Sequence, residues 1–204
     1  MIEIADGVEE IGTGAFAACP NLKTIILPES LKTIGPQAFA CCENLESIIF
    51  STKKKNSLPT PNIKQIGPYA FQNCTNLIDV NFLAHIKEIP QGCFKGCSSL
   101  TNITLPECLQ IIGASAFDGC NLTCPRIPKS VSSVGKAAFA NNRDMLHITI
   151  DGDKNNITHE PDSFGIKIPL ICEKETSSQP NSLGHSSTVI QPSRTNRTKN
   201  NRDR

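Results

Sequence analysis

The sequence predicts a curved solenoid of stacked units of about 23 residues, each mainly short parallel β-strand joined by turns or single helical turns. Three observations carry that prediction. Phe16, Phe39, Phe71, Phe94, Phe117 and Phe139 follow one another at intervals of 23, 32, 23, 23 and 22 residues, each preceded by alanine except Phe94, which follows Cys93. Five residues upstream of them stand Ile11, Ile34, Ile66, Ile89, Ile112 and Val134. Three residues downstream, Cys19, Cys42, Cys74, Cys97 and Cys120 hold one phase, and Asn142 breaks the series. No unit of this size buries its own apolar edge, so copies must stack and share one core.

Each element of the unit follows from its residues. The pattern Leu22-x-x-Ile25-x-Leu27 predicts a short strand with those three side chains inward and Thr24 and Ile26 outward. Pro28, Pro106 and Pro128 stop the strand, because proline has no N–H for a ladder. Leu31 and Ile34, three apart before Gly35, predict a second short extended or turn segment. Gly-x-x-Ala-Phe then reads as a tight turn or one helical turn, with glycine supplying backbone freedom and Phe filling the core. The six Phe and five cysteines named above are the expected core ladder, since free cysteine behaves as a small buried hydrophobe.

The recurring unit L-P-x-S-L-x-x-I-G-x-x-A-F-x-x-C-x-N-L-x-x-I resembles the BspA-like, Treponema-type class of leucine-rich repeat over about residues 1–150. The resemblance implies a curved leucine-rich-repeat superhelix. It also implies a class frequent in bacteria and parasitic protists, often part of surface or secreted proteins that bind host or matrix proteins. It names no ligand.

Two regions follow: a solenoid over 1–171, with about six repeats and a decayed C-terminal unit, and a tail over 172–204. The interval of 32 reflects an insertion loop at 51–62, whose Lys53, Lys54 and Lys55 read as solvated charge. Ile2 and Ile4 align with Ile25 and Leu27, so the sequence starts inside a unit. The expectation there is an uncapped strand edge open to end-to-end self-association. Pro125 takes the place of a mid-strand aliphatic residue and should shorten that strand. Leu122 arrives one residue early, and Ile166-Lys-Ile168-Pro reads as the last strand. The tail is rich in Ser, Asn, Thr, Arg and Lys, too polar to offset the entropy of ordering, and should be disordered and basic.

Composition narrows the function. A net charge of +1 gives no global field, so no specific nucleic-acid partner is expected. No run of residues is long and apolar enough to span a bilayer, and the start has no basic and apolar leader. Localisation therefore stays open between the cell surface or secretion suggested by the resemblance and the cytoplasm. Cys93/Cys97 and Cys120/Cys124 have weak zinc spacing, but cysteines at one repeat phase form a row, and neither a metal nor another cofactor is expected. No nucleophile–base set, phosphate loop or metalloprotease motif stands out, so the chain reads as no enzyme.

What varies is the outward side of the Leu-x-x-Ile-x-Leu strands. Thr24, Ser47, Asp79, Asn102, Cys124 and His147 form one outward column, Ile26, Ile49, Asn81, Thr104, Arg126 and Thr149 form the next, and ten of them, all but Cys124 and Arg126, are singled out. These ten residues are the candidate partner-binding face, on a concave sheet, with Ile26 and Ile49 as an apolar anchor. The reading is a non-enzymatic protein-binding module of surface or adhesion type. The alternatives are an intracellular scaffold or regulatory repeat protein, or a truncated fragment of the family without independent function.

Overall fold

The structure is a computed structural model that describes residues 1–51, 61–160, 162–165 and 168–173 and the backbone of 189–190. The chain winds into a β-solenoid of about 7 turns of ~23 residues. We number the layers by their Phe, from Phe16 in layer one to Phe164 in layer seven. The insertion residues Lys53, Lys54 and Lys55 and most of the tail lie outside the described residues.

Three edges join the layers by hydrogen bonds, the first two of them with breaks. The first is the Leu-x-x-Ile-x-Leu ladder. Ile2–Glu3, Thr24–Leu27 and Ser47–Phe50 pair in parallel, with Ile25 opposite Ile48 and Ile26 opposite Ile49. Arg126–Ile127, Ile148–Asp151 and Leu170–Glu173 form a second parallel set, and Val189–Ile190 lies antiparallel on the last of these. The sheet is thus not continuous as expected, because residues 77–83 and 100–105 contain no regular strand. At the first of these positions Asn81–Leu83 form a 3-10 turn, and the Asn81 amide donates to the Asp79 carboxylate across it. Asp and Asn are poor strand formers. The inward phase survives nonetheless, since Leu77, Val80 and Phe82 remain buried. The strand after Pro125 is short, as the proline requires, and Leu170–Glu173 forms the last parallel strand of the set; of the segment expected as the last strand, residues 166 and 167 lie outside the described residues.

The second edge is a ladder of two-residue strands ending five residues upstream of Phe, in an aliphatic residue except at His159. Glu10–Ile11, Thr33–Ile34 and Gln65–Ile66 form one parallel set. Glu88–Ile89, Ile111–Ile112, Ser133–Val134 and Thr158–His159 form the other. The glycine after Ile or Val is needed for a different reason than the sequence suggested. Gly35, Gly67, Gly113 and Gly135 donate their N–H to the carbonyl of the preceding layer's Ile at 2.7–2.8 Å. A Cβ on Gly67 would sit 2.3 Å from the Pro36 nitrogen, and one on Gly135 2.5 Å from the Ala114 nitrogen. These glycines serve close approach, not a left-handed backbone. Layer four has Pro90 at this phase, which has no N–H to donate, and the ladder divides there between Gln65–Ile66 and Glu88–Ile89.

The third edge is the turn around Phe, and it is unbroken. Residues two before Phe, Phe itself and two after Phe donate to the next layer at 2.7–3.0 Å, from Gly14, Phe16 and Ala18 through Ser115, Phe117 and Gly119. The flanking pairs are left-handed in all six turns, eight of them non-glycine at φ 53–59°, such as Gln37, Tyr69, Ser115 and Ala137. Each such residue carries about 1 kcal/mol of strain, of the same order as one hydrogen bond. Here lies the backbone conformation that the residue pattern alone assigned to glycine.

Between the edges, Phe rings from Phe16 to Phe139 stack with centroids 5.2–5.6 Å apart, and Phe164 continues the stack at 6.5 Å. Phe39, Phe71, Phe94, Phe117 and Phe139 are fully buried. Phe16 and Cys19 are only half-buried, because they sit in the end layer and pack on one side.

Candidate binding face and the cysteine row

The cysteines at the repeat phase form a built row. Cys42, Cys74, Cys97 and Cys120 each donate the thiol to the backbone carbonyl of the preceding layer's Phe, at 2.9–3.1 Å. Burial pushes the thiols of Cys42, Cys74 and Cys97 up and that of Cys120 up to about 12. Held protonated at neutral pH, they are donors and poor nucleophiles. Cys93, off the row in sequence, is buried in the place alanine holds elsewhere. None of the ten cysteines is in a disulfide, and among the described residues no three His, Cys, Asp or Glu groups converge as metal ligands.

Asn142 does not break this row. Its Nδ2 donates to the Phe117 carbonyl at 2.9 Å, as the thiols do one layer earlier. Its Oδ1 also accepts the Leu122 N–H at 2.9 Å. In the full-length turns that N–H instead bonds the backbone carbonyl three residues back, as from Leu100 to Cys97 at 3.0 Å and from Leu45 to Cys42 at 3.0 Å. The turn of layer five is one residue short and makes no such bond, so the amide in layer six replaces it. A thiol in that place could not reproduce both bonds. Asn142→Ala should therefore cost about 1–3 kcal/mol in chemical denaturation, the range for buried groups left without partners. Asn142→Cys should recover only part, and a neutral Asn142→Ala would refute the coupling.

On the first-ladder face, the outward columns lie where the spacing put them. Ile49, Asp79, Asn81, Asn102 and Thr104 are exposed, and Thr24, Ile26, Ser47, His147 and Thr149 are half-exposed. Ser47 donates to the Thr24 hydroxyl at 3.3 Å, which ties the second and third rungs together. Ile26 lies opposite Ile49, whose exposure of 48% leaves it available as an anchor. Further along, Cys124 Sγ is 3.7 Å from His147 Nδ1. Arg126, opposite Thr149, lies 2.7 Å from Asp151 and 2.8 Å from Glu173. The Glu173 hydrogen bond, with Asp151 beside it, holds the guanidinium above its ordinary pKa. Sequence reasoning placed Arg126 in the column but missed this pairing, because Glu173 is brought in only by the terminal strand. The face thus has an apolar end, a polar centre without regular strand and a paired-charge end.

A family model for the BspA type leucine rich repeat region matches residues 1–61 and 64–164 in six copies. The chain belongs to the BspA-type leucine-rich-repeat family. Among solved structures this BspA-type chain is similar to a Treponema pallidum leucine rich repeat protein, with 27% identity and a TM-score of 0.62 over 76% of this chain and 74% of that one. It is also similar to a leucine rich cell surface protein of Faecalibacterium prausnitzii, with 27% identity and a TM-score of 0.55 over 73% of this chain and 47% of that one. A search of curated proteins finds no significant match. Among the described residues, no helix is long and apolar enough to cross a membrane.

Proposed function

We propose that the chain is a non-enzymatic protein-binding leucine-rich-repeat module of surface or adhesion type, which engages a protein partner through its first-ladder face. The observation that supports this is the row of small, mostly uncharged side chains standing in solvent on layers pinned to one another by the unbroken turn edge around Phe. Variation on a rigid repeat face changes recognition without disturbing the core. The cell surface protein of Faecalibacterium prausnitzii, similar in sequence and fold, supports the surface setting.

The test uses photo-crosslinking residues placed singly at Asn81 and Thr104, with Thr33 on the opposite ladder as control. Both face positions should capture one protein species from intact cells, and the control should not. Replacing Asp79, Asn81, Asn102 and Thr104 together by alanine should abolish capture and change stability by no more than about 1 kcal/mol, as for surface substitutions. Equal capture from Thr33, or unfolding of the quadruple variant, would sink the assignment of this face.

A second reading, an intracellular scaffold, is favoured by ten cysteines free of disulfides, which suit a reducing compartment. Protease treatment of intact cells separates the two: removal of surface label supports adhesion, and a protected signal supports the scaffold.

A further inference from the structure

The short turn of layer five leaves a site away from the strand face. From Phe to the next inward residue is six positions in Phe71–Leu77, Phe94–Leu100 and Phe139–Met145, but five in Phe117–Leu122. The row of turns therefore has a notch between layers four and six. It is a half-open cavity of about 620 Å³ lined by Ser98, Gly119, Asn121, Asn141, Arg143 and Asp144, with Cys120 behind them. No aliphatic or aromatic side chain lines it.

The groups around the notch are prepared for a polar ligand. Arg143 and Asp144 are exposed, and among the described residues neither side chain has an ion-pair or hydrogen-bond partner. Asn141 is held from behind: its Nδ2 donates to Asp118 at 2.7 Å, and Asp118 pairs with Lys95 at 3.0 Å. That orientation leaves the Asn141 Oδ1 to accept. We infer that this notch binds a saccharide unit carrying a carboxylate. The Arg143 guanidinium is a planar fork that matches a carboxylate with two hydrogen bonds. Asp144 and Asn141 accept sugar hydroxyls, Ser98, whose hydroxyl donates to the Thr75 carbonyl at 3.4 Å, also accepts, and Asn121 both donates and accepts. An apolar ligand needs an apolar wall, which is missing. A peptide carboxyl terminus would leave its last side chain without a pocket.

The experiment is titration of the full chain, followed by the side-chain amide signals of Asn121 and Asn141. The probes are a hyaluronan hexasaccharide, which carries glucuronate, and chitohexaose, which carries no carboxylate. The hyaluronan probe should give saturable shifts at both amides, with chitohexaose about tenfold weaker. Arg143→Ala and Asp144→Ala, both at exposed positions, should each weaken the hyaluronan probe by about tenfold. Lys64→Ala, elsewhere on the surface, should leave it unchanged. Inserting serine between Asn121 and Leu122 restores the full turn and should close the site. Absence of saturable shifts, binding that ignores Arg143, or a preference for a free peptide carboxylate over the sugar would each overturn the assignment.

Discussion

Replacing Phe71 by alanine is expected to lower stability by about 3–5 kcal/mol, the range for emptying a buried Phe site. Phe71 is fully buried in layer three, with Phe39 stacked at 5.2 Å, Phe94 at 5.5 Å and Phe82 tilted against it at 5.5 Å. Its removal leaves a void bounded by three rings. Those rings cannot collapse into it freely, because the backbone turn is pinned to layer two by hydrogen bonds from Gln37, Phe39 and Cys41 and to layer four by those from Tyr69, Phe71 and Asn73. The site also lies where the second ladder divides and next to the rungs without regular strand, so the turn edge and the ring stack carry more of the layer-to-layer contact there. In a repeat array each layer is held only by its neighbours, so the loss is not averaged over the chain. Urea unfolding measures it. Phe164→Ala, in the last layer with a single stacked neighbour at 6.5 Å, should cost less. A loss below about 1 kcal/mol at Phe71, less than area burial alone supplies, would mean that the assignment of Phe71 to the inward phase is wrong.

Gly67→Ala is expected to be destabilising by about 1–3 kcal/mol or more, which reverses the usual sign of such a change. The Gly67 backbone is not left-handed, so alanine would ordinarily stabilise by restricting the unfolded chain. Here the added carbon meets the Pro36 nitrogen at 2.3 Å and the Gly35 carbonyl carbon at 2.6 Å. Both are backbone atoms and cannot swing aside. Relief requires layers two and three to separate, which stretches the 2.7 Å bond from Gly67 to Ile34. Gly12 is the internal control, at the same phase in layer one, where an added Cβ would meet nothing within 4 Å. Gly12→Ala should be neutral or stabilising by about 0.4–1 kcal/mol. Thermal unfolding of the two variants checks the pair, and a stabilised Gly67→Ala protein would show that the layers are not held at this spacing.

The recurrence of Phe71, Ile66 and Cys74 at fixed offsets was sufficient to predict the solenoid, the inward residues and the outward columns, because one layer copied at one spacing leaves little choice of phase. The division at Pro90 was not read from the sequence, although a proline where other units carry glycine removes the donor that closes the ladder. The loss of regular strand around Asp79 and Asn81 was not read either, since Val80 and Phe82 keep the inward pattern while the local turn overrides the extended backbone. Asn142 read as a break in the cysteine series because its bonds to Phe117 and Leu122 join different layers, and Leu122 lies 20 residues back in the chain. The compensation becomes visible only when the short turn and the amide are stacked.

By itself, then, the sequence determined what repeats: the period, the layer contents and which side chains face in or out, since local alternation and a shared core dictate these. Tertiary structure decided what passes between layers. The close approach that forbids a Cβ at Gly67, the left-handed residues beside each Phe, the thiol-to-carbonyl row and the notch at layer five all depend on the distance between two copies of the unit. No single unit contains that distance.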